Sequence, residues 1–242
     1  MLDETTLTTL NALKLFGMAQ SFPGRLTDAR QAELSHGEFV GLLTQDEKTY
    51  RDNKRLKRLL TNAKLKQEAS LEDIDYRHPR GLHKQTMLEL GNTGWIDGNR
   101  NVVLTGPTGV GKSYIACALG NFAARSGNTV IYTRAVRLFE TLETARADGS
   151  HLRLMQKFNK ARLLIVDDFL IAPLSDTARM DFLEVIEDRC GSGATVVTSQ
   201  CPVKEWHPNI GDPTIADAIC DRLLHNAYKI DLRGESMRKR MK

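Results

Sequence analysis

The sequence predicts an α/β fold, a parallel sheet flanked by helices, with a small all-helical N-terminal domain ahead of it. Three observations carry this expectation. From residue 101 onward, short apolar runs alternate with stretches of helical periodicity, which implies parallel strands joined by helical crossovers. The first of those runs, Val102-Val103-Leu104, leads directly into Gly106-Pro107-Thr108-Gly109-Val110-Gly111-Lys112-Ser113, a complete G-x-x-x-x-G-K-[ST] phosphate loop opening a helix. Before residue 69 only helical spacing is found.

In the first 68 residues, Leu7, Leu10, Leu13 and Phe16 fall at helical spacing, and Ser21-Phe22-Pro23-Gly24 reads as the end of that helix. A short helix from Thr27 is expected next. Ser35 and Glu38 stand at capping-box spacing, and Phe39, Leu42, Leu43, Tyr50, Leu56, Leu59, Leu60 and Ala63 recur every three or four residues, giving one long helix with room for a single break. The polar, Pro- and Gly-bearing stretch 69–81 is a connector, which sets a domain boundary at 68/69. A helix over 82–90 and a turn at 91–94 follow. Strands are then expected at 102–104, 128–133, 162–167, 194–199 and 228–232, with helices at 114–124, 135–147, 150–159, 176–190 and 213–226 between them.

Composition narrows the class. The 242 residues, 41% hydrophobic and 26% charged, suffice for one α/β core and a smaller appendage. No apolar run approaches the roughly 20 residues of a membrane span, and Met1-Leu2-Asp3-Glu4 has no basic leader character, so a soluble cytoplasmic protein with no membrane partner is expected. Four cysteines and six histidines show no metal-ligand spacing, which argues against a zinc site or a disulfide framework. Net charge is only +4, but Lys48, Arg51, Lys54, Arg55, Lys57, Arg58, Lys64 and Lys66 face the single acid Asp52 across residues 48–66. Such one-signed helices suit a polyanion, and Lys48, Arg51, Lys54, Arg55, Lys57 and Arg58 are the candidate DNA contacts.

The chemistry starts at the phosphate loop. Glycines let backbone N–H groups turn inward toward phosphates, and the following helix, with Tyr114 near its start, adds its positive end. Lys112 is expected to reach the β- and γ-phosphates, and Ser113 to ligate Mg²⁺. The apolar run Leu163-Leu164-Ile165-Val166 ends in Asp167 and Asp168 at the sheet edge where open α/β folds bind ligands. Asp167 is the candidate Mg²⁺ ligand through water, and Asp168 the candidate that polarises a water for in-line attack. The exit of the 194–199 strand into Gln200 suits either a γ-phosphate sensor or an ordinary loop. Arg222 and Arg238 suit phosphate charge stabilisation or plain surface ion pairing. Tyr76 is expected to pack on the core rather than stack on a base.

Taken together, Leu104-Thr105-Gly106 through Ser113, Leu163 through Phe169, Thr198-Ser199-Gln200 with Trp206, Ala216 through Ala227 and Gly234-Glu235-Ser236-Met237-Arg238-Lys239-Arg240 resemble the IstB-like helper ATPases of bacterial insertion sequences. That family is related to the DnaC helicase loader and the DnaA initiator within the AAA+ superfamily. The resemblance implies an AAA+ ATPase using ATP and Mg²⁺, assembling as a homo-oligomer on double-stranded DNA and assisting an IstA-like transposase in target selection and strand transfer. It implies a sensor role for Gln200, an arginine finger in Arg222 reaching a neighbour's nucleotide, and a second sensor in Arg238. A DnaC-like helicase loader and a weakly hydrolysing, ATP-gated DNA scaffold are the alternatives. Two departures stand out: Leu170 occupies a place where the family commonly has Gly, and Asp168 one where many AAA+ ATPases have Glu, which suggests slow turnover.

Overall fold

The computed structural model describes residues 2–237. Contacts divide the chain into two compact units, Met1–Arg58 and Leu59–Lys242. The division falls inside a helix, ahead of the 68/69 boundary read from the sequence, because Leu59 and Ala63 already belong to the apolar cluster of the second unit.

The first unit holds α1 (Leu2–Ala12), α2 (Phe16–Ala32) and most of α3 (His36–Ala63). The expected helix break at Ser21–Gly24 does not occur; the chain breaks instead at Lys14, which has φ 60°, and α2 runs on through Pro23. Glu47, buried on α3, accounts for the difference. Its Oε2 accepts the N–H groups of Gly17 at 2.6 Å and Met18 at 3.1 Å, satisfying donors that an uninterrupted helix would have turned back on its own carbonyls. Gly17 permits the approach, since a Cβ there would lie 2.6 Å from Tyr50 Cβ. The capping box forms as expected: Glu38 Oε2 accepts from the Ser35 N–H at 2.8 Å, and Ser35 Oγ accepts from the Glu38 N–H at 3.3 Å. From there α3 continues unbroken for 28 residues, about 42 Å of helix.

The second unit is a five-stranded sheet of β1 (Asn101–Thr105), β2 (Val130–Arg134), β3 (Leu163–Phe169), β4 (Ala194–Ser199) and β5 (Ala227–Asp231), in spatial order β2-β3-β4-β1-β5 and parallel throughout. Alternation along the strands sends Val102, Leu104, Leu163, Ile165 and Val196 into one apolar cluster and Val103, Leu164, Val166 and Val197 into the other. The first cluster is roofed by α4 (Lys84–Leu90), α5 (Gly94–Asp97) and α6 (Lys112–Arg125). The second is roofed by α7 (Ala135–Ala147), α8 (His151–Lys160), α9 (Asp176–Arg189), α10 (Trp206–Ile210) and α11 (Pro213–Leu224).

Two short helices, α5 and α10, were absent from the sequence reading. Each is held by a buried tryptophan rather than by periodicity: Trp95 Nε1 donates to the Leu90 carbonyl at 3.1 Å and Trp206 Nε1 to the Cys201 carbonyl at 2.9 Å. Among the described residues no helix is long and apolar enough to cross a membrane.

β3 is longer than expected, ending at Phe169 instead of Asp167. Its pairing with β4 slips between Val166 and Phe169, where Asp168 has φ 60°. Leu170 follows at φ 56°, the left-handed region where glycine is at home, which explains why a Gly suits that place. A non-glycine residue there costs about 1–2 kcal/mol, offset in this chain by packing of the Leu170 side chain against the second cluster.

Candidate nucleotide site

Because the strands are parallel, the phosphate loop after β1, the acids of β3, the exit of β4 and the end of β2 share one edge of the sheet. A cleft of about 650 Å³ opens there, lined among others by Thr108, Gly109, Gly111, Lys112, Ser113, Tyr114, Asp168 and Gln200. Pro107 and Val110 do not line it; the Val110 side chain is buried in the first cluster.

The loop conformation depends on its glycines. Gly106 has φ 138°, and a Cβ there would strike the Leu232 carbonyl. Gly111 has φ 100° and sits over the Arg80 guanidinium, 2.6 Å from Nη1 to the place of a Cβ. Arg80 is buried at 6% exposure and props the loop from below, donating from Nη1 to the Val110 carbonyl at 2.9 Å and from Nη2 to the Asp75 carbonyl at 3.0 Å. Lys112 opens α6 and donates from Nζ to the carbonyls of Gly106 at 2.6 Å and Pro107 at 2.9 Å. Burial lowers the Lys112 pKa from its ordinary value, while Asp168 and Asp167 favour its charged form.

Asp167 is the centre of the site and fully buried. Thr198 Oγ1 donates to its Oδ1 at 2.6 Å, Tyr132 Oη to its Oδ2 at 2.5 Å, and Ser113 Oγ lies 2.8 and 2.9 Å from the two oxygens. Lys66 Nζ stands 3.5 Å from Oδ2. Burial pushes the carboxyl up, but the hydroxyl donors of Thr198, Tyr132 and Ser113 together with Lys66 outweigh it and hold Asp167 below the ordinary aspartate value. The Tyr132 phenol is correspondingly pushed up by burial and by Asp167. An ionised carboxylate beside a serine hydroxyl is an all-oxygen donor set, the kind that suits Mg²⁺, and the inward-turned glycine loop suits the phosphates that accompany it.

Asp168 shares one of these partners through its backbone, while its carboxylate has another. Its N–H donates to Thr198 Oγ1 at 3.0 Å, so one threonine orders both acids, and its carboxylate pairs with Arg134 at 3.3 Å. Thr108 Oγ1 donates to Gln200 Oε1 at 2.7 Å, bringing the candidate sensor onto the phosphate loop. Tyr132, Lys66, Arg80 and Arg134 were missed by sequence reasoning. For Tyr132 and Arg134 a signal existed, a strand ending Tyr132-Thr133-Arg134 at the same sheet edge as the two acids. Tyr76 packs against the first cluster, as expected.

Residues 8–242 match the family described as IstB-like ATP binding protein. The chain belongs to that family. An insertion sequence ATP-binding protein of Sinorhizobium fredii is 46% identical over 239 residues, covering 99% of this chain and 98% of the relative. The IS21 ATP-binding protein of Pseudomonas aeruginosa is 30% identical over 229 residues, covering 95% and 86%. Among solved structures, DnaI superposes with a TM-score of 0.60 at 20% identity, over 68% of this chain and 91% of that one. AMPPCP-bound DnaA from Aquifex aeolicus superposes with a TM-score of 0.60 at 15% identity, over 74% and 54%. These two likenesses establish the fold: the P-loop AAA+ sheet with its flanking helices.

Within this member of the IstB-like family, Arg222 is not brought to the phosphate loop of its own chain. It lies on α11 beside the start of β1, where Asn101 Nδ2 donates to its carbonyl at 3.1 Å, and its guanidinium donates to Glu187 Oε1 at 2.7 Å and to the Ala218 carbonyl at 2.9 Å. Arg238 lies outside the described residues. In the first unit, Lys48, Arg51, Lys54, Arg55, Lys57 and Arg58 are all exposed on α3. Arg51 donates to Glu47 Oε1 at 2.6 Å, and Lys54 Nζ stands 5.4 Å from the centre of the Phe16 ring.

Proposed function

We propose that this chain is the ATP-hydrolysing helper of a bacterial insertion sequence, one that assembles with copies of itself on duplex DNA and assists an IstA-like transposase in target selection and strand transfer. The observation that carries the reading is the meeting of Lys112, Ser113 and Asp167 at the edge of the sheet, with Asp167 buried, ionised and ordered by three hydroxyls. The insertion-sequence context of the relatives supports the partner.

In this reading the backbone from Gly106 to Ser113 cradles the phosphates, Lys112 answers the charge of the β- and γ-phosphates, and Gln200 senses the γ-phosphate from Thr108. Mg²⁺, when bound, is held by Ser113 and Asp167 and neutralises phosphate charge. Asp168 accepts a proton from the attacking water. Its pairing with Arg134 and its short side chain both favour slow turnover, which suits a switch whose states are ATP-bound and ATP-free. Arg222 completes the site of the next subunit, and Arg238 acts as a second sensor.

The test is whether duplex DNA stimulates ATP hydrolysis and ATP tightens duplex binding; absence of both overturns the proposal. The DNA surface has its own check. The exposed α3 cations neutralise backbone phosphates regardless of sequence, so the double variant Lys48→Ala, Arg58→Ala lowers the slope of log affinity against log salt by about 2, near 0.9 for each phosphate no longer neutralised. An unchanged slope places the DNA elsewhere.

A further inference from the structure

The sequence groups Lys66 with the basic residues of α3, but the fold takes it out of that group. α3 ends at Ala63, the chain turns at Lys64 with φ 51°, and residues 65–69 are docked onto α6, the helix that the phosphate loop opens. Three contacts fix the docking. Gly120 on α6 leaves room for Leu65, whose Cδ2 would lie 2.8 Å from a Cβ at that position. The Cys117 sulfur lies within hydrogen-bonding reach of the Lys66 and Gln67 backbone. Asn121 Nδ2 donates to the Ala69 carbonyl at 2.8 Å. Held this way, Lys66 lines the same cleft as Lys112, Ser113 and Gln200, with its ammonium 3.5 Å from Asp167 Oδ2.

We propose that Lys66 is a second lysine of the nucleotide site, neutralising Asp167 and free to turn to a phosphate oxygen of the bound triphosphate. The inference rests on the reading of this cleft as an ATP site. The two ends of the ion pair differ in their freedom: the Asp167 side chain is 0% exposed, whereas that of Lys66 is 40% exposed. A lysine on a four-carbon stem reorients at little cost, while the buried carboxylate is fixed by its three hydroxyl donors. Among the described residues, Lys66 is the one cation within 4.0 Å of Asp167. A polyanion entering the cleft therefore meets a positive charge from the connector as well as one from the phosphate loop.

The experiment is equilibrium binding of a fluorescent ATP analogue to the full chain, in EDTA and at saturating Mg²⁺, for wild type, Lys66→Met and Lys66→Arg. Removing a charge-assisted hydrogen bond to phosphate weakens binding in EDTA by about tenfold in Lys66→Met. The loss is smaller with Mg²⁺ present, where the triphosphate carries less uncompensated charge, and Lys66→Arg retains most of the affinity. Duplex affinity without nucleotide keeps its salt slope in Lys66→Met. Wild-type affinity in both buffers overturns the inference. So do equal losses in both buffers with a lowered thermal midpoint, which make Lys66 a packing residue, and a salt slope reduced by about 1, which makes it a DNA-binding residue. Wild type failing to bind the analogue at all removes the ATP reading itself, a result separate from any effect of the variants.

Discussion

Asp167→Asn lowers ATP hydrolysis by at least about a hundredfold, the scale on which a single charge-stabilising group acts in an active site, and also destabilises the fold. The second effect follows from the hydrogen bonds. One carboxylate oxygen receives Thr198 and the other receives Tyr132 and Lys66. Whichever way an asparagine amide is turned, its NH₂ faces a donor. A buried donor left without an acceptor costs about 1–3 kcal/mol, so thermal unfolding shifts down by roughly 2–12 °C in a chain of this size. Acid dependence separates the charge from the packing. Folding holds the Asp167 pKa below its ordinary value of 3.8. Its stabilisation is therefore present above that value and is lost as pH falls through the lowered one. The stability gap between wild type and Asp167→Asn is widest near neutrality and closes in acid. A gap independent of pH means that folding leaves the Asp167 pKa at its ordinary value, and a gap that narrows as pH rises means that the folded chain keeps the carboxyl protonated.

Arg222→Ala is expected to lose hydrolysis while ATP binding survives. Arg222 sits by the start of β1, whereas the phosphate loop follows its end, and four strand steps, about 13 Å, lie between. That span exceeds the reach of an arginine side chain anchored by Glu187 and Ala218. In its own chain Arg222 therefore serves no nucleotide. If it serves the next subunit's, its removal cuts DNA-stimulated turnover by about a thousandfold, the lower range for an arginine finger, while affinity for a fluorescent ATP analogue stays within about threefold. Turnover at the wild-type rate reduces Arg222 to a surface partner of Glu187.

The strands and the main crossovers were legible because each is a short apolar run or an amphipathic stretch of ordinary length. The phosphate loop and the Asp167-Asp168 pair were legible because residue type and spacing both carry their chemistry. What escaped depended on contacts distant in sequence. The break at Lys14 answers to Glu47, a residue on another helix, and α5 and α10 answer to single buried tryptophans. Tyr132 reaches Asp167 only because β2 pairs with β3 in a register that no local pattern announces. Lys66 looked like part of a charge run, and only the turn at Lys64 reveals that it leaves it. The composition of α3 pointed to a polyanion, but the engagement of Arg51 with Glu47 shows that one of its candidate DNA-binding residues also braces the first unit.

In the proposed arrangement one subunit supplies Lys112 and Asp167 while its neighbour supplies Arg222. That arrangement is tested most directly by mixing two inactive proteins, Lys112→Ala and Arg222→Ala, on duplex DNA with ATP and following phosphate release. Shared sites predict that the mixture regains a measurable fraction of wild-type turnover, because some interfaces pair an intact phosphate loop with an intact arginine. A mixture as inactive as its components, while wild type turns over under the same conditions, contradicts the account.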